Sequence, residues 1–158
     1  MIRTSLCSAL LLAAASSPSL ALEVTRSVQV DASPQAVWQE IGGFCGIGDW
    51  HPAVQSCTLG KAHGRPQRTL ALKGGGEIIE QQVARSNPKM DYTYIIVKSP
   101  LPVAHYRSTI SVHPSGSGSK VTWWGKFAAA GAPDEKATEV VSGIYESGLK
   151  GLADKVKQ

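Results

Sequence analysis

The sequence predicts an α+β fold: a curved, seven-stranded antiparallel sheet wrapped around one long C-terminal helix, with two short helices after the first strand. Three observations carry this reading. From Val54 to Ala128, apolar and polar residues alternate in short runs broken by Gly, Pro and Asn, the pattern of successive strands. From Pro133 onward, Val140, Val141, Ile144, Tyr145, Leu149, Leu152 and Val156 form an apolar stripe at helical spacing. Between an early helical segment and the strands stands a broken stretch, Phe44 to Cys57. There Gly46, Gly48, Asp49 and Pro52 punctuate the chain around Trp50-His51. An aromatic-rich elbow of this kind, set between a helix and a sheet, commonly walls a pocket.

The N-terminus reads as a secretory signal. Met1-Ile2-Arg3 is a short basic start, Leu6 to Ala15 is apolar and small, and Ser19-Leu20-Ala21 is a small-x-small cleavage site. Cleavage after Ala21 leaves residues 22–158 as a single domain, periplasmic or secreted. The apolar run is too short to cross a bilayer, and no second run of membrane length follows, so no stable membrane insertion is expected. Cys7 lacks the flanking small residues that lipid attachment needs. Lys and Arg number 16 against 12 Asp and Glu. The basic residues are scattered without interleaved aromatics, which argues against a nucleic-acid partner. Export makes a Cys45–Cys57 disulfide the default reading, with two buried free thiols as the alternative. Closing that loop stabilises a fold by about 3 kcal/mol through loop-closure entropy.

Taken in order, Glu23 to Val30 alternates as a strand. Ser33 then caps a helix that Pro34 opens and along which Val37, Trp38, Ile41 and Phe44 recur, with Gly42-Gly43 ending it. The elbow holds one irregular helical turn. Val54 to Leu59 is a short strand and Gly60 to Pro66 a turn-rich connection. Strands follow at Gln67 to Lys73, Glu77 to Arg85 and Asp91 to Lys98. Ser99 to Ala104, with two prolines, reads as irregular. His105 to His113 is a strand, Pro114 to Ser119 a flexible hairpin, and Lys120 to Ala128 the last strand. Asp134 and Glu135 place acids at the positive end of the final helix dipole. The glycines at 143, 148 and 151 mark either a close approach or tolerated positions.

This order resembles the helix-grip superfamily: START domains, the major birch pollen allergen, and bacterial polyketide cyclase/dehydrase-like proteins. Val28 to Trp38 is similar to the family's opening strand and helix, and Gly48-Asp49-Trp50-His51-Pro52 to the elbow of its small bacterial members. His105-Tyr106-Arg107-Ser108-Thr109 and Leu149-Lys150-Gly151-Leu152-Ala153-Asp154 look like stretches of plant abscisic acid receptors. The resemblance implies a ligand cavity between sheet and long helix, entered between two loops. By position these are Gly74-Gly75-Gly76 and Leu101-Pro102-Val103. Neither loop carries the receptors' gate or latch motif, so hormone sensing is not expected, although a mobile entrance is.

The same resemblance places His51 where the receptors hold a pocket lysine, Glu80 at a pocket glutamate, and Tyr94, Tyr106 and Ser108 at ligand-facing positions. Trp50, Ile78, Trp123, Phe127, Val140 and Ile144 complete the expected lining. A period of two independently puts Ile78, Glu80 and Gln82 on one face, Tyr94 with Ile96, Tyr106 with Ser108, and Trp123 with Phe127. Which face turns inward comes from the resemblance alone. His51 and Glu80 could form an acid/base pair, could contact ligand passively, or could be structural, with Glu80 paired to a nearby Arg or Lys and His51 capping a turn before Pro52. The histidines and cysteines lack metal-site spacing, and no P-loop, dinucleotide or Gly-x-Ser-x-Gly motif occurs, so neither metal nor cofactor is expected. Three functions remain: an exported binding protein for a small hydrophobic or amphipathic molecule, a cofactor-independent cyclase/dehydratase, or a periplasmic accessory protein acting through a protein partner. The last rests on a resemblance to methanol-oxidation accessory proteins.

Overall fold

The computed structural model describes residues 21–157, so residues 1–20 of the expected signal peptide lie outside the described residues. The first strand, β1 (Leu22–Val30), is followed by two short helices, α1 (Pro34–Ile41) and α2 (Ile47–Trp50). Six strands come next: β2 (Val54–Ala62), β3 (Arg65–Leu72), β4 (Glu77–Ser86), β5 (Asp91–Lys98), β6 (Val103–Ser115) and β7 (Gly118–Ala129). A 22-residue helix, α3 (Asp134–Lys155), ends the fold. All seven strands form one antiparallel sheet in the order β1-β7-β6-β5-β4-β3-β2.

Local chemistry sets the early elements. Ser33 Oγ accepts the amide of Ala36, and Pro34 stands at the first helical position, where its missing N–H costs nothing. Trp38 is half-buried, whereas Val37 and Ile41 are sealed in the core beside Ile110 and Val121. Two carbonyls just past the end of α1 are met from the sheet: Arg85 donates to Gly42 O, and Arg68 donates to Phe44 O.

Three connections are tighter than the sequence implied. Gly60 to Pro66 is not an open connection. β2 runs to Ala62, β3 starts at Arg65, and His63-Gly64 alone makes the turn, with φ of 51° and 75°. Positive φ at both central residues matches the right-handed twist of the flanking strands. Pro66 is tolerated because β3 pairs with β4 only from Gln67 to Ala71. Likewise Pro114 to Ser119 is no flexible hairpin, since Pro114 pairs with Ser119 and Ser115 with Gly118. Val103 and Ala104 pair with Ala129 and Ala128, and the irregularity expected there is a bulge centred on His105, whose φ is 53°.

Helix α3 packs directly on β1 and β7 through Ala137, Val141, Tyr145, Leu149 and Leu152, and it also touches α2. Two of its glycines receive the elbow. A Cβ on Gly151 would overlap the carbonyl oxygen of Trp50, and one on Gly148 would lie 2.6 Å from the His51 ring and 2.8 Å from Trp123. Gly143, by contrast, faces open space. The Cys45–Cys57 disulfide fastens the elbow to β2.

Gly151→Ala is therefore expected to cost about 1–3 kcal/mol in a urea unfolding titration, through overpacking. Gly143→Ala, made in the same helix, should stabilise by about 0.5–1 kcal/mol, because there the alanine only improves helix propensity.

Candidate functional site

Because α3 lies over the β1–β7 side of the sheet, a gap remains above β3, β4 and β5. It is a cavity of about 150 Å³. The sheet contributes Leu70, Leu72, Ile78, Glu80, Tyr94 and Ile96, with Tyr106 and Trp123 beside them. Val141, Ile144 and Tyr145 come from α3, and Ile47, His51, Ala53 and Val54 from the elbow and the start of β2. Ala53 is exposed and Leu72, Leu101 and Ile144 are half-buried, so the cavity opens at the end where these four meet.

The lining includes seven of the eleven expected ligand contacts. His51, Ile78, Glu80, Tyr94, Tyr106, Trp123 and Ile144 line it, whereas Trp50, Ser108, Phe127 and Val140 do not. Trp50 turns into the core, edge-on to Trp123 with centroids 5.7 Å apart. Phe127 is screened by Tyr106, which stacks on it at 6.1 Å. Val140 loses its place to Val141, one residue on, because the buried face of α3 follows 137, 141 and 145. Of the expected entrance loops, only Leu101 reaches the cavity. Gly74, Gly75 and Gly76 are exposed, while Pro102 and Val103 are half-buried away from the lining. The two loops do lie side by side, with a Cβ position on Gly76 falling 3.8 Å from Pro100.

Glu80 is held by a residue the sequence reading did not single out. Arg68 and Glu80 face each other across β3 and β4, and Arg68 Nε donates to Glu80 Oε2 at 2.5 Å. Arg68 is 0 % exposed. Its Nη1 donates to Phe44 O at 2.5 Å, and its guanidinium lies over the Phe44 ring at 4.3 Å and the Tyr94 ring at 5.0 Å. Burial alone would push the Arg68 guanidinium down, but Glu80 and the neighbouring tyrosines drive it up instead. Burial pushes the Glu80 carboxyl up while Arg68 pulls it back. The pair stays ionised, since protonating Glu80 would strand a buried cation. Period two places Arg68 on the face of Leu70, a signal that could have found it had charge not argued for solvent.

His51 is neutral, and both of its nitrogens are in use. Its Nδ1 accepts the amide of Ala53 at 3.2 Å, which fixes the proton on Nε2, and Nε2–H donates to the carbonyl of Ile144 at 3.1 Å. Burial holds its pKa below the ordinary 6.5, and the charge of Arg68 acts in the same direction against a partial offset from the Ile144 bond.

Behind the tyrosines a directed set of hydrogen bonds runs into the sheet. Ser108 Oγ donates to Trp124 O at 2.7 Å, so it accepts from Tyr145 Oη at 2.9 Å and from Trp123 Nε1 at 3.0 Å. With its proton spent on Ser108, Tyr145 must accept from Tyr106, 2.5 Å away. Ser108 is thus a hub beneath the cavity and not a wall of it. Trp123 Nε1 also donates to Tyr94 Oη at 3.0 Å, while the Tyr94 proton has no acceptor in hydrogen-bond geometry among the described residues. Burial pushes Tyr94 and Tyr106 well above the usual phenol range and Tyr145 up to about 12, so all three remain donors at neutral pH.

A sheet gripping a long helix around an apolar cavity agrees with what related sequences show. Residues 21–157 match the family described as polyketide cyclase / dehydrase and lipid transport. The chain belongs to that family. Among solved structures, an uncharacterised protein from Bacillus thuringiensis is 38 % identical, with 87 % of this chain and 100 % of that one covered at a TM-score of 0.81. The protein XoxI from Bacillus cereus is 38 % identical over 86 % and 96 % of the two chains, with a TM-score of 0.80. Zhui, a Streptomyces aromatase/cyclase, covers 87 % and 94 % at a TM-score of 0.70, and its 14 % identity speaks to the shared helix-grip fold alone. No curated protein matches.

Two outcomes follow from this site. Arg68→Met should lower stability by about 3–5 kcal/mol in chemical denaturation by leaving Glu80 buried and unpaired, and adding Glu80→Met should restore most of that loss. The unfolded chain protonates His51 near pH 6.5 while the folded chain does not, so stability should fall as pH drops below 6.5 toward the folded value. Unfolding curves at about pH 7.5 and about pH 5.5 should show this decline, and His51→Gln should make it shallower.

Proposed function

We propose that this protein is an exported binding protein for a small, mostly apolar molecule held between the sheet and α3. The observation that carries the reading is the cavity itself: apolar on nearly every wall, open at one end, with Glu80, Tyr94, Tyr106, Tyr145, His51 and Trp123 offering the polar side-chain atoms. Apolar walls with a few placed polar groups are the usual make-up of a small-molecule site. A volume of about 150 Å³ accommodates a body of about one six-membered ring. Export is supported by the Cys45–Cys57 bridge, which is favoured in oxidising compartments.

Acid/base turnover by His51 and Glu80 is the weaker reading. Both imidazole nitrogens are bound by the main chain, and one Glu80 oxygen is bound by a permanent cation. His51 would first have to break one of those contacts to move a proton, and Arg68 favours the ionised form of Glu80 and so opposes its serving as an acid.

Native mass spectrometry of the protein purified from its own host tests the proposal. A small adduct lost on denaturation is the expected result. Ile144→Trp, which fills the cavity from its half-buried rim, should give the bare mass with an unchanged circular dichroism spectrum. A bare mass for both proteins, or the same adduct on both, would set the cavity-binding reading aside.

A further inference from the structure

We propose that the polar end of the ligand is a neutral hydroxyl, phenolic in a ring-sized molecule, received by Glu80 Oε1 and Tyr94 Oη, and that carboxylic acids are excluded. This rests on the cavity-binding reading above. Glu80 lines the cavity, and Arg68 occupies its Oε2 alone. Oε1 has no hydrogen-bond partner among the described residues, yet it is not among the enclosed, unpartnered side-chain atoms, so it is the oxygen that opens to the cavity. A carboxylate oxygen only accepts, and it therefore calls for a donor.

Tyr94 supplies the complement. Glu80 pairs across the strands with Ile96, and Tyr94 lies two residues from Ile96 on the same inward face, diagonal to Glu80. The protons of Ser108, Tyr145 and Tyr106 are each donated onward, whereas that of Tyr94 is not. A hydroxyl can donate to Glu80 Oε1 and accept from Tyr94 Oη at the same time.

Charge narrows the class further. Glu80 is the only ionised side chain in the lining, and Arg68 behind it already balances its charge. A carboxylate ligand would set its oxygens against Oε1, while Arg68, the neighbouring cation, is enclosed behind Glu80 and does not line the cavity. The side-chain N–H groups of the lining are already spent, His51 Nε2–H on Ile144 and Trp123 Nε1–H on Tyr94 and Ser108. An ammonium ligand would bring an uncompensated charge into an apolar site. A neutral donor carries neither cost.

Three probes of similar shape decide the matter: toluene, phenol and benzoate, titrated at neutral pH into the purified protein with ligand-detected NMR as the readout. Phenol should bind about tenfold more tightly than toluene, one hydrogen bond to a charged acceptor being enough for that ratio. Benzoate should show no binding. Tyr94→Phe keeps the Arg68–Glu80 pair and should bring phenol down toward toluene while leaving toluene unchanged. Glu80→Gln, if it folds, should reverse the order by exposing the charge of Arg68, so that benzoate gains. Toluene binding as tightly as phenol, or benzoate binding to the unaltered protein, would overturn the hydroxyl assignment while the cavity reading stands. Failure of all three probes would overturn both.

Discussion

A full positive charge with no exposure to water constrains everything around it. Arg68 sits at that position, and the partners it needs come from three separate segments: a carboxylate on β4, the Phe44 carbonyl from the end of the α1 region, and the faces of Phe44 and Tyr94. Removing any one of them leaves a buried charge under-satisfied, so the arrangement is fixed as a unit. This buried charge thereby ties the chain after its first helix to the sheet. Arg85 repeats the device nearer the edge, gripping Gly42 O while lying over the Trp38 ring at 4.9 Å.

With the elbow tied to the sheet on one side, α3 can meet it on the other. Gly148 and Gly151 bring the Trp50-His51-Pro52 backbone against the helix, and the His51–Ile144 hydrogen bond closes the contact. The cavity is what this geometry leaves over: the helix is drawn to β1, β7 and the elbow, and away from β3 to β5. The site's chemistry is residual in the same sense. Both nitrogens of His51 and one oxygen of Glu80 are taken up in positioning the scaffold, whereas Glu80 Oε1 and the Tyr94 proton are left for the space. Arg68 Nη2 and Trp50 Nε1 also lack partners but are enclosed away from it.

Strand and helix periodicities made the sheet, the first helix and α3 legible in the chain, because side-chain burial follows period 2 or period 3.6 directly. Turn lengths were less so. Gly60 to Pro66 and Pro114 to Ser119 are rich in Gly, Pro and Ser, yet pairing with a neighbouring strand draws most of those residues into the ladder and leaves two-residue turns. The inward residues Ile78, Glu80, Tyr94, Tyr106 and Trp123 were readable from alternation once an inward face was assumed. Ser108 and Phe127 share that face but lie behind a larger neighbour, and alternation carries no information about depth. Trp50 and Val140 went astray for a different reason, since an elbow has no period and a helix face is broad enough to blur adjacent positions.

What the sequence determined by itself is the order of elements, their type and the family to which they belong. All three depend on interactions between residues near in the chain and on patterns of apolar spacing. What only the tertiary structure decided is which polar atoms are free. Arg68 claiming one oxygen of Glu80, Ala53 and Ile144 claiming both nitrogens of His51, and Ser108 ordering the protons of Tyr106 and Tyr145 are pairings over distances of two to 93 residues. A hydrogen bond is satisfied or unsatisfied according to where its partner lies in space, and local sequence holds no record of that distance.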